Sequence, residues 1–182
     1  RFISLVIAVF LTVSLLTPVA AQNFSVDAEV GLLYDFDADQ VLFAQDADKP
    51  WIPASLVKVM TLFVAFDRIK AESIDLNSYV TVSERAWQMG GSQVFLEVGD
   101  KVTFDDLLRG IAVVSGNDAC VAIAEALAGT EDLFVQWMNN KAQELGLDLY
   151  FVDVHGLSDA NRITAVDFAK LVKHYLVAHP EA

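Results

Sequence analysis

The chain has 182 residues, 54% of them hydrophobic and 20% charged, with four prolines, a balance that buries a core and excludes a disordered polypeptide. Its 12 basic against 25 acidic side chains exclude nucleic acid as a partner, because binding a polyanion needs clustered Lys and Arg. The single cysteine, Cys120, excludes an internal disulfide framework. Its neighbours read as a helix face, so a buried, inert thiol is expected there.

Residues Phe2 to Leu16 form an apolar run, preceded by Arg1 and followed by the small residues Pro18, Val19, Ala20 and Ala21. That three-part pattern predicts a secretory signal peptide over residues 1–21, and the run is shorter than the roughly 20 apolar residues of a spanning helix. The remainder, 22–182, shows neither a repeat nor a linker long enough to divide it, and is read as part of one domain continuing past Ala182. Glu29 to Tyr34 and Gln40 to Gln45 are short apolar runs around the acidic turn Asp35 to Asp39, which predicts a β-hairpin. The acids at Asp35, Asp37, Asp39, Asp46 and Asp48 lack the glycine and closing glutamate of a calcium loop, so a solvated turn is the expectation.

After Pro50 and Pro53 the run from Ala54 to Ile69 lacks Gly and Pro and is apolar nearly all round, which predicts a buried central helix. Thr103 with Asp105 and Asp106 predicts the start of another helix. Ser115-Gly116-Asn117 breaks it, a further helix is expected from about Asp118 to Leu127, and Thr130 and Thr164 head two more, reaching Leu145 and Ala178. Leu147 to Arg162 is expected to be irregular.

Two clusters carry chemistry. Ser55 and Lys58 lie three apart, so on a helix they are separated by about 60° and roughly 5–6 Å at Cβ, on one face. A serine hydroxyl needs a base before it attacks, and a lysine in an apolar helix has its pKa pushed toward working pH. Ser-x-x-Lys also occurs by chance. What distinguishes this pair is that Lys58 interrupts an apolar helix, where a charge is costly to bury without a partner. Ser115 and Asn117 place a hydroxyl and an amide in a tight break between helices, suited to relaying a proton and gripping a substrate amide; the same three residues also make an ordinary turn.

Pro53-Ala-Ser-Leu-Val-Lys-Val-Met-Thr61 and Gly110-Ile-Ala-Val-Val-Ser-Gly-Asn-Asp-Ala-Cys120 resemble the first two motifs of the low-molecular-mass penicillin-binding proteins. Gly90-Gly-Ser-Gln-Val-Phe-Leu-Glu-Val-Gly-Asp100 and His155-Gly156-Leu157 resemble that family's D-alanyl-D-alanine carboxypeptidases in sequence and order. The resemblance implies an α/β, transpeptidase-like (β-lactamase-like) sandwich of helices on an antiparallel sheet, represented here by its helical part and one hairpin. It implies Ser55 as nucleophile toward the D-Ala-D-Ala terminus of a peptidoglycan stem peptide, Lys58 as its base, Ser115 as proton relay and Asn117 as substrate holder. β-Lactams are then covalent inhibitors, no cofactor or metal is expected, and the location is periplasmic, peripheral on the inner membrane through a C-terminal segment outside this sequence. The family's third motif, Lys-Thr-Gly, is missing from these residues, so the sequence as it stands is expected to be nearly inactive. A serine β-lactamase or esterase, and a peptidoglycan-binding protein without catalysis, are the rival readings.

Other residues are assigned structural parts. His155 has no evident nucleophile or orienting acid beside it in sequence. His174 and His179 are five apart, off a common helix face, and no His-Glu-x-x-His pattern occurs. Trp51, Trp87 and Trp137 are expected in core or rim packing.

Overall fold

The computed structural model describes residues 24–180. The expected signal peptide lies outside them. The hairpin forms from β1 (Gly31–Asp35) and β2 (Gln40–Gln45), antiparallel, with an irregularity between Leu33 and Tyr34. Its turn is closed by the Asp35 carboxylate, which accepts from the N–H groups of Asp37 and Ala38 at 3.0 and 2.9 Å, the local bonding that suits Asp to turns.

The central helix differs from expectation at both ends. Ala54–Leu56 is a 3-10 turn, the α-helix proper, α1, spans Val57–Glu72, and Ser73 ends it in the left-handed conformation. α1 is buried along Val57, Lys58, Met60, Thr61, Leu62, Phe63, Val64, Ala65 and Ile69, as an all-round apolar helix must be.

β3 (Tyr79–Thr81) and β4 (Lys101–Thr103) pair antiparallel, with α2 (Glu84–Trp87) between them in sequence, capped by Ser83. These short elements have no counterpart in the sequence reading. Three residues are too few for a two-residue alternation to register. α3 (Phe104–Val114) starts where Thr103 Oγ1 accepts from Asp106 N at 3.1 Å. α4 (Asn117–Ala128) begins at Asn117, so that residue is the first of the helix instead of the last of the break. α5 (Glu131–Glu144) and α6 (Ala165–Ala178) carry the expected caps, Thr130 and Thr164.

α1 packs against α3, α4, α5 and α6, and its Met60 and Phe63 join Leu107, Ile111, Val121, Ile123, Phe134, Met138 and Leu171 in one core. The stretch from Leu147 to Arg162 is irregular as expected, and the irregular course runs from residue 145 to 164, held by bridges from Trp51 to Ile163 and from Tyr150 to Arg162. Between the hairpin and α6 lies an apolar groove of about 690 Å³, lined in part by Leu33, Trp51, Leu56, Phe168 and Val172. Among the described residues no helix is long and apolar enough to cross a membrane.

Candidate active site

Ser55 is exposed in the 3-10 turn, and Lys58 lies one turn further along, 4% exposed. Lys58 Nζ is 3.3 Å from Ser55 Oγ and donates to the His155 carbonyl at 2.7 Å. Desolvation pulls the amine below the ordinary lysine range, against an upward pull from Cys120 and Asp153. An uncharged amine at that distance can accept the hydroxyl proton.

The turn holding Ser55 is not self-supporting. Ala54 has φ of +47°, a left-handed conformation that costs an L-residue about 1–2 kcal/mol. Gly156, itself at φ +87°, runs directly over it: a Cβ there would stand 1.9 Å from the Ala54 carbonyl oxygen and 3.1 Å from Ser55 N. The same loop is fastened to α1 by consecutive carbonyls, since Thr61 Oγ1 donates to Val154 O at 2.7 Å just as Lys58 donates to His155 O. Lys58 and Thr61 are three apart, so one face of α1 makes both contacts.

Ser115 ends α3 at φ +60°, and its Oγ is buried with no hydrogen-bond partner among the described residues. An unpaired buried hydroxyl is uncommon enough to require a reason. Asn117 is buried at the head of α4; its Nδ2 donates to Gly90 O at 2.7 Å and its N–H to Ser92 O at 2.7 Å. Gly91, at φ +78°, passes between Asn117 and Leu157, with room for a Cβ only 2.8 Å from Asn117 Nδ2 and 3.6 Å from Leu157 Cδ2. The 153–158 loop thus lies directly on the Ser55 turn through Gly156, and the 90–96 loop, tied to the α3–α4 junction through Asn117, meets that loop at Leu157.

Asp118 anchors the 90–96 loop. Its fully buried carboxylate accepts from Val94 N at 3.0 Å, from Leu96 N at 3.2 Å and from Ala119 N at 2.9 Å. Two residues on, Cys120 is buried, and burial pushes its thiol up to about 12, so it is held protonated. That matches the inert thiol expected there.

Sequence reasoning missed the supports of the pair. It found no acid for His155, whereas the fold sets Glu131 Oε1 3.5 Å from His155 Nε2 and Asp153 Oδ2 3.6 Å from Nδ1. It is the His155 backbone, however, that meets Lys58. The signal for Asp153 was present as a turn-forming acid two and three residues ahead of His155 and Gly156. His179 is buried and pairs with Asp67 at 2.8 Å, which in turn meets Lys141 at 2.8 Å. Trp137 packs beside Phe134 and under the Arg68 guanidinium, 3.8 Å from the ring centre.

Residues 17–182 match the family model described as D-alanyl-D-alanine carboxypeptidase, Peptidase S11. The chain is 42% identical over 165 residues to the D-alanyl-D-alanine carboxypeptidase DacC of Escherichia coli, covering 86% of this chain and 41% of that protein. It is 39% identical over 152 residues to DacF, a D-alanyl-D-alanine carboxypeptidase of Bacillus subtilis, covering 82% and 39%. Among solved structures, penicillin binding protein 5 from Haemophilus influenzae superposes with a TM-score of 0.84 at 35% identity, over 89% of this chain and 48% of that one. The expected architecture, the helical part of a transpeptidase-like fold with one antiparallel hairpin, is found, together with the second short sheet β3–β4. The chain spans about two fifths of the length of the curated relatives it matches. With a matching model along nearly the whole chain and the fold in agreement, the chain belongs to the D-alanyl-D-alanine carboxypeptidase family, Peptidase S11.

Proposed function

We propose that this chain carries the acylating part of a serine D-Ala-D-Ala carboxypeptidase that removes the terminal D-alanine from peptidoglycan pentapeptides. The observation that carries the reading is the 3.3 Å approach of a buried, desolvated Lys58 amine to the exposed Ser55 hydroxyl. Ser55 Oγ attacks the carbonyl of the penultimate D-Ala while Lys58 takes its proton, and the oxyanion is met by backbone N–H groups, one of them that of Ser55. The C–N bond then breaks, the departing D-Ala amine receives a proton relayed through Ser115, and water releases the acyl group from Ser55. Asn117, fixed by Gly90, holds the substrate backbone.

β-Lactams acylate Ser55 by the same route, because their strained amide presents a carbonyl in place of the substrate's. A peptidoglycan substrate places the protein outside the cytoplasm, so export directed by residues 1–21 and a periplasmic, membrane-peripheral location complete the reading. The test uses the longest form of the protein that the gene encodes. Ser55→Ala is expected to abolish both D-Ala release and covalent labelling by a fluorescent penicillin; label that still attaches to the variant refutes the assignment.

A further inference from the structure

Asp153 is 7% exposed and lies in no helix or strand. Its Oδ1 accepts from His155 N at 3.1 Å and from Gly156 N at 2.6 Å, and its Oδ2 accepts from Ser158 N at 2.7 Å. Three backbone donors converging on one carboxylate give residues 153–158 a fixed course that no regular element provides. That course delivers two contacts to the Ser55 turn. The His155 carbonyl receives Lys58 Nζ at 2.7 Å, and the Gly156 backbone lies against the Ala54 carbonyl too closely to admit a Cβ.

The same carboxylate acts on Lys58 through its charge, favouring the protonated amine that desolvation disfavours. The other titratable group that acts on Lys58 is Cys120 of α4, held protonated by burial; the ring of His155, whose carbonyl Lys58 bonds, faces Asp153 and Glu131 of α5. A residue that only shaped the loop would leave the protonation behaviour of Lys58 untouched on losing its charge; one that also tunes the amine would not.

We propose that Asp153 is a positioning residue for the Ser55–Lys58 pair, setting through the 153–158 loop the carbonyl that Lys58 bonds and the charge that it faces. The inference rests on the acylation reading above. In the full-length protein, the second-order rate of labelling by a fluorescent penicillin is measured against pH for the parent, Asp153→Ala and Asp153→Asn. Asp153→Ala frees three backbone donors and is expected to acylate about 10²-fold more slowly, the scale set by misplacing reacting groups by about 1 Å. Asp153→Asn keeps an acceptor oxygen and removes the charge. It is expected to recover most of the rate on the alkaline plateau, with its ascending limb at lower pH than the parent's.

Parent-like labelling by Asp153→Ala overturns the proposal, and so does an Asp153→Asn limb that coincides with the parent's. Should Asp153→Ala lose its cooperative melt, the Asp153→Asn limb alone decides. If the parent itself is not labelled, it is the acylation reading that fails. The Lys58 amine titration, followed by NMR in parent and Asp153→Asn, then tests the loop without catalysis, and an unmoved titration overturns the proposal.

Discussion

Lys58 Nζ lies closer to the His155 carbonyl oxygen, at 2.7 Å, than to the Ser55 hydroxyl, at 3.3 Å. The amine of the proposed base is thus held by a backbone acceptor, which fixes where its nitrogen stands and leaves Ser55 as its solvent-facing partner.

Acylation at Ser55 is expected to rise with pH through the titration of Lys58, because only the neutral amine accepts a proton. Desolvation moves that titration below the ordinary lysine value of about 10.4, so the ascending limb is expected below that point. Lys58→Arg keeps the charge but cannot become neutral, and should lower the penicillin-labelling rate by about 10²–10⁴-fold with the limb abolished. Stopped-flow labelling across pH checks both.

Gly156→Ala places a methyl 1.9 Å from the Ala54 carbonyl oxygen at a residue held at φ +87°. The overpacking and the left-handed conformation together are expected to cost about 3 kcal/mol. The urea midpoint should fall accordingly, and labelling of Ser55 should fall in the fraction that remains folded, since relief of the clash moves the Ser55 turn.

Asp118→Ala leaves the N–H groups of Val94, Leu96 and Ala119 without their acceptor. At about 1–3 kcal/mol for each unsatisfied buried group, a loss of about 3 kcal/mol or more is expected. Amide exchange at Val94 and Leu96 should quicken well before exchange in α1 does, because the carboxylate holds the loop and not the core.

Burial pushes the Glu131 carboxyl up, but His155 and Arg85 outweigh it and hold the group below the ordinary glutamate range. Its folded pKa being lower than its unfolded one, its contribution is complete above the unfolded value of about 4.3 and is lost as pH falls through the folded value. Glu131→Gln should therefore be less stable than the parent at neutral pH, by about 1 kcal/mol given the solvent-exposed Arg85 partner, and should converge on it in acid. Urea midpoints at neutral and acid pH read the difference.

The features legible in the sequence are those written in neighbouring residues. Thr103, Thr130 and Thr164 announce their helices because a cap bonds within three residues, and Ser55 with Lys58 announces a possible pair because helical spacing alone brings them to one face. What was not legible depends on distant partners or on backbone atoms. A carbonyl such as that of His155 has no residue type to betray it. The 3-10 turn at Ala54 is likewise unforeseen, because its left-handed residue is matched to Gly156 and not to anything beside it. Asn117 could be read as a polar residue in a break, but its fixing by Gly90 and the close pass of Gly91 belong to the fold.

The contact between Lys58 and His155 spans 97 positions of sequence. During synthesis, the segment bearing Ser55 emerges long before the loop that shapes it, and closing so long a span waits on the helices between. The proposed nucleophile is therefore latent in the growing chain until the 153–158 loop has arrived and docked, so that reactivity toward penicillin reports folding of this region as well as chemistry.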